Sequence, residues 1–245
     1  MAELFKDWLN RIQRFRKQDI GELSEGFFFR DPTRSLKINP FVFYSPADGV
    51  LLYQKEVNPG EEIIEVKGRN FTLKNLLMDN DFNQKCLVIG IFLTFLDVHI
   101  VRIPTSGNVF YKDLPKIKSS NLPMTFFERD LLNESKIDYK DMKYLFYNSR
   151  KLSKVIYPRL DYTYYIVEIS DSDVDLSLHL KKNGEFHLQG DRLSVIRYGS
   201  QVDLVLPQDT RYQFELLQEE GMHVEAGVDP LVRVIYRGYE DEKTQ

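Results

Sequence analysis

The sequence predicts a mainly β, mixed α/β fold: a strand-rich core entered by one N-terminal amphipathic helix. Three observations carry this prediction. Short runs of Val, Ile, Phe, Tyr and Leu, broken by Pro, Gly, Asn and Asp, fill the chain after Gly26. Seventeen Phe and 14 Tyr supply many large rings, which pack well on sheets. Helical periodicity is pronounced in one long segment only, between Glu3 and Phe15.

In that segment Leu4, Phe5, Trp8, Leu9, Ile12 and Phe15 recur at three- and four-residue steps, and Arg11, Arg14, Arg16 and Lys17 gather toward its end. Two uses fit such a helix. It can dock on its own domain with a solvated cationic end that suits the helix dipole. Alternatively, Phe5, Trp8 and Phe15 enter a membrane interface while the cations meet anionic head groups.

Strands are expected at Phe41–Tyr44, Gly49–Gln54, Ile63–Lys67, Cys86–Leu96, His99–Ile103, Tyr162–Ile169, Asp175–Lys181, Glu185–Gln189 and Val202–Leu206. A short helix fits Leu73–Leu77, residues 138–153 fit either period, and Lys112–Lys154, rich in Lys, Asn and Ser, reads as a surface excursion. A hairpin is expected at Asn183-Gly184 with Gly184 left-handed, which pairs Leu180 with Phe186 and sets His179 opposite His187. Two imidazoles do not make a metal site, and no Cys or carboxylate cluster joins them at ligand spacing, so no metal is expected.

Composition narrows the function. With 42% apolar and 29% charged residues over 245 positions, the chain can bury a real core. A net charge of −4, with no clustering of Lys and Arg over the chain as a whole, argues against nucleic-acid binding. The single cysteine, Cys86, excludes a disulfide framework and fits a reducing compartment. No secretory signal opens the chain, and the longest apolar run, Cys86–Leu96, is too short to span a bilayer. No GxGxxG, P-loop, HExxH or GxSxG is present.

Six segments carry more: FFFRDPTR (27–34), SPADG (45–49), VKGRNFTLKNLL (66–77), LDVHIVRIP (96–104) with Gly107 following, IRYGSQVDLVLP (196–207) and GMHVEAG (221–227). Together, in this order, they resemble the phosphatidylserine decarboxylase family of pyruvoyl enzymes, closest to its short bacterial form, over about half of the chain. The resemblance implies self-cleavage between Gly199 and Ser200, splitting a decarboxylase domain over 26–245 into chains 1–199 and 200–245, with residues 1–25 as the N-terminal helical region. It implies a pyruvoyl cofactor made from Ser200, a lipoyl-like sandwich element near Gly221 and Gly227, and Asp48, His99 and Ser200 as catalytic residues. Those residue types suit such chemistry, because a serine hydroxyl needs a base and a base imidazole needs a carboxylate to orient it. His99 is the candidate acid for turnover as well.

The implied activity is conversion of phosphatidylserine to phosphatidylethanolamine and carbon dioxide. The implied setting is cytoplasmic, at the inner face of the membrane, with peripheral association, a phospholipid as partner and room for a homo-oligomer. The chain departs from the family at Gln201, where Thr or Arg is usual, at Asn148-Ser149-Arg150, which lacks the family's carboxylate, and in the acidic run Asp171-Ser172-Asp173-Val174-Asp175. A soluble amino acid as substrate, or a non-catalytic lipid- or protein-binding paralogue, are the alternatives these departures leave.

Overall fold

The computed structural model describes residues 1–13, 15, 30–172, 177–196 and 200–237. Seventeen strands and three α-helices are present among them: β1 (Glu3–Leu4), α1 (Phe5–Ile12), β2 (Val42–Tyr44), β3 (Gly49–Val57), β4 (Glu62–Val66), β5 (Arg69–Thr72), α2 (Leu73–Leu77), β6 (Cys86–Leu93), β7 (Ile100–Arg102), β8 (Gly107–Asp113), α3 (Thr125–Glu134), β9 (Arg150–Tyr157), β10 (Tyr162–Ser170), β11 (Ser177–His179), β12 (Phe186–His187), β13 (Arg192–Ile196), β14 (Ser200–Pro207), β15 (Tyr212–Leu216), β16 (Met222–Val224) and β17 (Pro230–Tyr236). A 3₁₀ helix runs from Tyr139 to Phe146.

One nine-stranded antiparallel sheet, ordered β1-β16-β3-β6-β14-β10-β9-β8-β12, forms the middle layer. Its central strands β6 and β14 are buried along their whole length; β6 accordingly reads as a continuous apolar run, whereas β14 carries the polar residues Ser200, Gln201 and Asp203 into the buried sheet. Alternate residues of β14 serve two different cores. Val202, Leu204 and Leu206 share a core with Val101 and Ile196 of the sheet β11-β13-β7, with Ile103 just beyond β7, and with Phe43, Leu231 and Val232 of the sheet β15-β17-β2. Val205, on the opposite face, joins the core built by α1, the β4-β5 hairpin, α2, α3 and the 3₁₀ helix.

Helix α1 buries Phe5, Trp8, Leu9 and Ile12 in this second core, and Phe15 packs against it partly buried. Trp8 stacks on Phe5 at 5.5 Å and on the His223 ring at 4.1 Å. Of the three rings considered for membrane contact, Phe5 and Trp8 are buried against the chain's own domain and Phe15 is partly buried. Asp7 in the first turn and Arg11 in the last match the helix dipole. Arg14, Arg16 and Lys17 lie outside the described residues, as do residues 27–29 of the first matching segment.

Two expectations need correction. Residues 112–154 are not a surface excursion: Met124, Phe127, Leu131, Met142, Tyr144 and Leu145 are buried in the core, and Asn121 and Asn148 are buried as well. Within 138–153 both readings hold in sequence, a 3₁₀ helix followed by β9. Strands β11 and β12 do not form a hairpin with each other. Gly184 does adopt positive φ, but β11 pairs with β13, setting His179 opposite Ser194, and β12 pairs with β8, setting His187 opposite Gly107. The local turn forms, while longer-range ladders take the residues that flank it. His179 stacks on Tyr111 and lies 3.5 Å from Glu168, and no metal-holding group of three side chains exists among the described residues.

Candidate active site

The C-terminal end of β6 organises the site. On one side of it Val50 pairs with Phe92; on the other Ser200 pairs with Leu93. Asp48 and Ser200 therefore enter strands that flank the same strand end, two strand spacings, about 10 Å, apart. Gly49 makes the first approach possible. Its φ is +149°, and a Cβ there would overlap the Phe92 carbonyl.

Beyond Leu93 the chain turns sharply, with Asp97 N–H donating to the Thr94 carbonyl at 3.0 Å. Asp97 Oδ2 accepts from Thr94 N at 2.8 Å and from Thr94 Oγ1 at 2.7 Å, while Oδ1 lies 2.7 Å from His223 Nε2. Burial pushes the Asp97 carboxyl up, but His223 and the Thr94 donors outweigh it and hold the group below its ordinary value. Asp97–His223 is thus a buried carboxylate–imidazole pair, and the stacked Trp8 ring of α1 covers it.

His99 follows at once and is fully buried. It continues the alternation of Val101 and Ile103, whose side chains face the large sheet from the same side as Val202 and, by alternation, Ser200. Ile196 N–H donates to the His99 carbonyl at 3.0 Å, which ties His99 to the strand that leads toward Ser200. Burial draws the imidazole down to about 4; Asp97 opposes this and Arg30 adds to it. The ring is neutral at pH 7, the form a proton acceptor needs.

Ser200 opens β14 with no exposed surface, and its Oγ has no hydrogen-bond partner among the described residues. A buried hydroxyl without a partner costs on the order of 1–3 kcal/mol, so its position calls for a chemical reason. Gly199, Tyr198 and Arg197 lie outside the described residues.

Asp48 is held differently from the other two. Oδ2 accepts from Arg34 Nη2 at 2.7 Å and Oδ1 from Ala226 N at 2.8 Å. Burial raises its carboxyl, and Arg34 and Ala226 counter the rise. Arg34 belongs to an irregular segment laid over the site. In it Arg30 donates to the Leu96 carbonyl at 2.5 Å and to the Asp97 carbonyl at 3.1 Å, and Asp31 pairs with Arg102 at 3.0 Å and with Arg192. Arg102 also donates to the Gly190 carbonyl at 2.8 Å.

Sequence reasoning names Asp48, His99 and Ser200, and the fold brings all three to one end of the sheet. It does not find the Asp97–His223 pair, the Arg34 clamp on Asp48, or Glu128. The signal for the first is present: polar Asp97, His99 and Arg102 stand beside the most apolar run of the chain, where each needs a partner. Glu128, on α3, accepts from Phe95 N at 2.5 Å, and burial pushes its carboxyl up to about 8. Of the departures, Asn148 ties Leu122 and Ser170 together, and Arg150 caps the C-terminal carbonyls of α2 at Asn75 and Leu76. Asp171 accepts from Met124 N at 2.9 Å; Asp173 and Asp175 lie outside the described residues. Cys86 is no rival nucleophile, since burial lifts its thiol to about 12.

A buried serine thus heads a central strand, on the face that meets the layer carrying a buried neutral imidazole. The family model for phosphatidylserine decarboxylase matches residues 26–231. The chain belongs to this family of carboxy-lyases. It is 27% identical over 201 residues to the phosphatidylserine decarboxylase proenzyme of Wolbachia pipientis wMel, covering 82% of this chain and 71% of the relative. It is 28% identical over 214 residues to the proenzyme of the same name from Carboxydothermus hydrogenoformans, covering 85% and 78%. Among the described residues no helix is long and apolar enough to cross a membrane.

Proposed function

We propose that this chain is a self-processing decarboxylase of serine-headgroup phospholipids, with Ser200 as the source of a pyruvoyl group. The observation that carries this reading is the buried Ser200 Oγ, without a partner among the described residues, on the face of β14 that meets the His99 layer.

His99, neutral at pH 7, accepts the Oγ proton, and the oxygen attacks the Gly199 carbonyl. The C–N bond to Ser200 breaks, an ester forms, and the proton passes to the released amine. Loss of the Cα proton then expels the Gly199 carboxylate and leaves an unsaturated residue 200. Water replaces its nitrogen, which departs as ammonia, giving the keto group. Asp48, clamped by Arg34 and Ala226 N, keeps a buried negative charge at this strand end during the attack.

The site residues fit the group: the hydroxyl is present and buried, no described residue bonds to it, and β6 and β10 hold the new chain start from both sides. A pyruvoyl group supplies a ketone that takes a substrate amine and accepts the electron pair released with carbon dioxide. The chain's own part in turnover is to keep water away from residue 200 and to hold a proton near it. With Phe5 and Trp8 buried, contact with the lipid surface falls to other parts of the molecule.

Intact-mass measurement of the purified protein tests the reading. Scaling 28.9 kDa by chain length, fragments of about 23.5 and about 5.4 kDa are expected, the smaller with a blocked N-terminus. A single uncleaved chain overturns it.

A further inference from the structure

On the face of β14 opposite Ser200, a polar network interrupts an otherwise apolar core. Gln201 Nε2 donates to Tyr53 Oη at 2.7 Å and to Asp203 Oδ2 at 3.0 Å, and Gln201 Oε1 accepts from Tyr144 Oη at 2.8 Å. Tyr53 Oη donates in turn to Asp203 Oδ1. All four residues are buried. The main-chain architecture makes room for them: β6 carries Gly90 opposite Asp203, and a Cβ at Gly90 would overlap the Tyr53 ring that crosses it.

Such a network is costly in an apolar core, where hydrophobic residues of similar volume pack at least as well. Its members come from β3, β14 and the 3₁₀ helix, and they converge on one side chain, that of Gln201. We propose that Tyr53, Tyr144 and Asp203 are positioning residues that act through Gln201 to hold residue 200 in place for turnover. This rests on the self-processing reading.

Before cleavage, residue 200 is tethered by peptide bonds on both sides. Afterwards it is a chain end, and its first covalent neighbour is Gln201. The ladder to Leu93 and Ser170 fixes the strand, while the Gln201 side chain, bonded at both its oxygen and its nitrogen, fixes the rotation and depth of the strand's first residues. Reacting groups displaced by about 1 Å lose on the order of 100-fold in rate, so this anchoring matters more for turnover than for folding.

The experiment compares the wild-type chain with Tyr144→Phe, which keeps the ring and removes one hydrogen bond, and Gln201→Met, which keeps the volume and removes the anchor. For each, intact mass gives the cleaved fraction, thermal unfolding gives Tm, and carbon dioxide release from phosphatidylserine in mixed micelles gives kcat per cleaved chain and KM. The expected result is cleavage in both variants, kcat lowered roughly 10-fold or more, KM changed less than about twofold, and a larger loss in Gln201→Met. If both variants unfold at lower temperature but keep kcat per cleaved chain, the network is structural and the proposal fails. If Gln201→Met does not fold, Tyr144→Phe alone decides in the same way. An uncleaved wild-type chain overturns the self-processing reading, whereas cleaved variants with unchanged kcat overturn this proposal alone.

Discussion

His99, Ser200 and Asp48 differ in how much of their surroundings their own residue type explains. Ser200 is a small hydroxyl in a wholly buried strand, and no described residue satisfies its Oγ. Ser200→Ala is expected to fold and to remain one 28.9 kDa chain, read by intact mass; cleavage of this variant would place the nucleophile elsewhere. His99→Ala removes the proton acceptor, and cleavage followed by gel densitometry is expected to slow by about 10²–10⁴-fold. Arg34→Gln leaves the Asp48 carboxylate buried without its cation, a loss of about 3–5 kcal/mol in a denaturant titration. The three site residues are legible in sequence because they sit in short segments shared with a known family. Arg34 as the clamp on Asp48 is not, because nothing in RDPTR indicates which of its two arginines reaches which carboxylate.

Among the elements, α1 shows how far periodicity reaches. Its apolar face is evident from spacing, yet spacing cannot tell a face that docks on its own sheet from one that enters a lipid interface, since both reward the same burial of Phe5 and Trp8. The partner decides it: β16 brings His223 under Trp8, and the face is consumed. Trp8→Ala is therefore expected to cost about 3–5 kcal/mol in stability. Pelleting with anionic vesicles at low salt should be unaffected in the fraction that stays folded. Loss of vesicle binding at unchanged Tm would show that α1 serves the membrane instead. The strands missed in the sequence, among them β8 and β15, share a cause: each has a face toward solvent, so polar and charged residues dilute its apolar run. The β11–β12 hairpin fails for a related reason, because a turn fixes only a few residues and longer ladders outcompete it.

Over the whole molecule, buried ionisable groups set a pH dependence of stability. Glu128 rises from 4.5 to about 8 and Asp203 from 3.8 to about 7, both through burial. A carboxyl raised in the folded state stabilises fully below its unfolded value, and that contribution is lost as pH rises through the folded value. His99, lowered to about 4, acts the other way: its contribution is lost as pH falls from 6.5 toward 4. The two effects oppose each other below pH 6.5, and above it the carboxyls act alone. Tm measured between pH 6.5 and 8 is expected to fall, and Glu128→Gln is expected to flatten much of that fall; an unchanged slope would mean Glu128 is ionised throughout. By itself the sequence determined the strand-rich class, the N-terminal helix, the family segments and the three residues named for the chemistry, because each of these is written in local pattern or in short contiguous motifs. Only the tertiary structure decided that Asp97 holds His223, that Arg34 holds Asp48, that α1 is covered, and that Gln201 anchors a network behind residue 200. Those facts depend on which strands become neighbours, and a nine-stranded sheet assembled from pairings as distant in the chain as Glu3 with His223 leaves no local trace of its order.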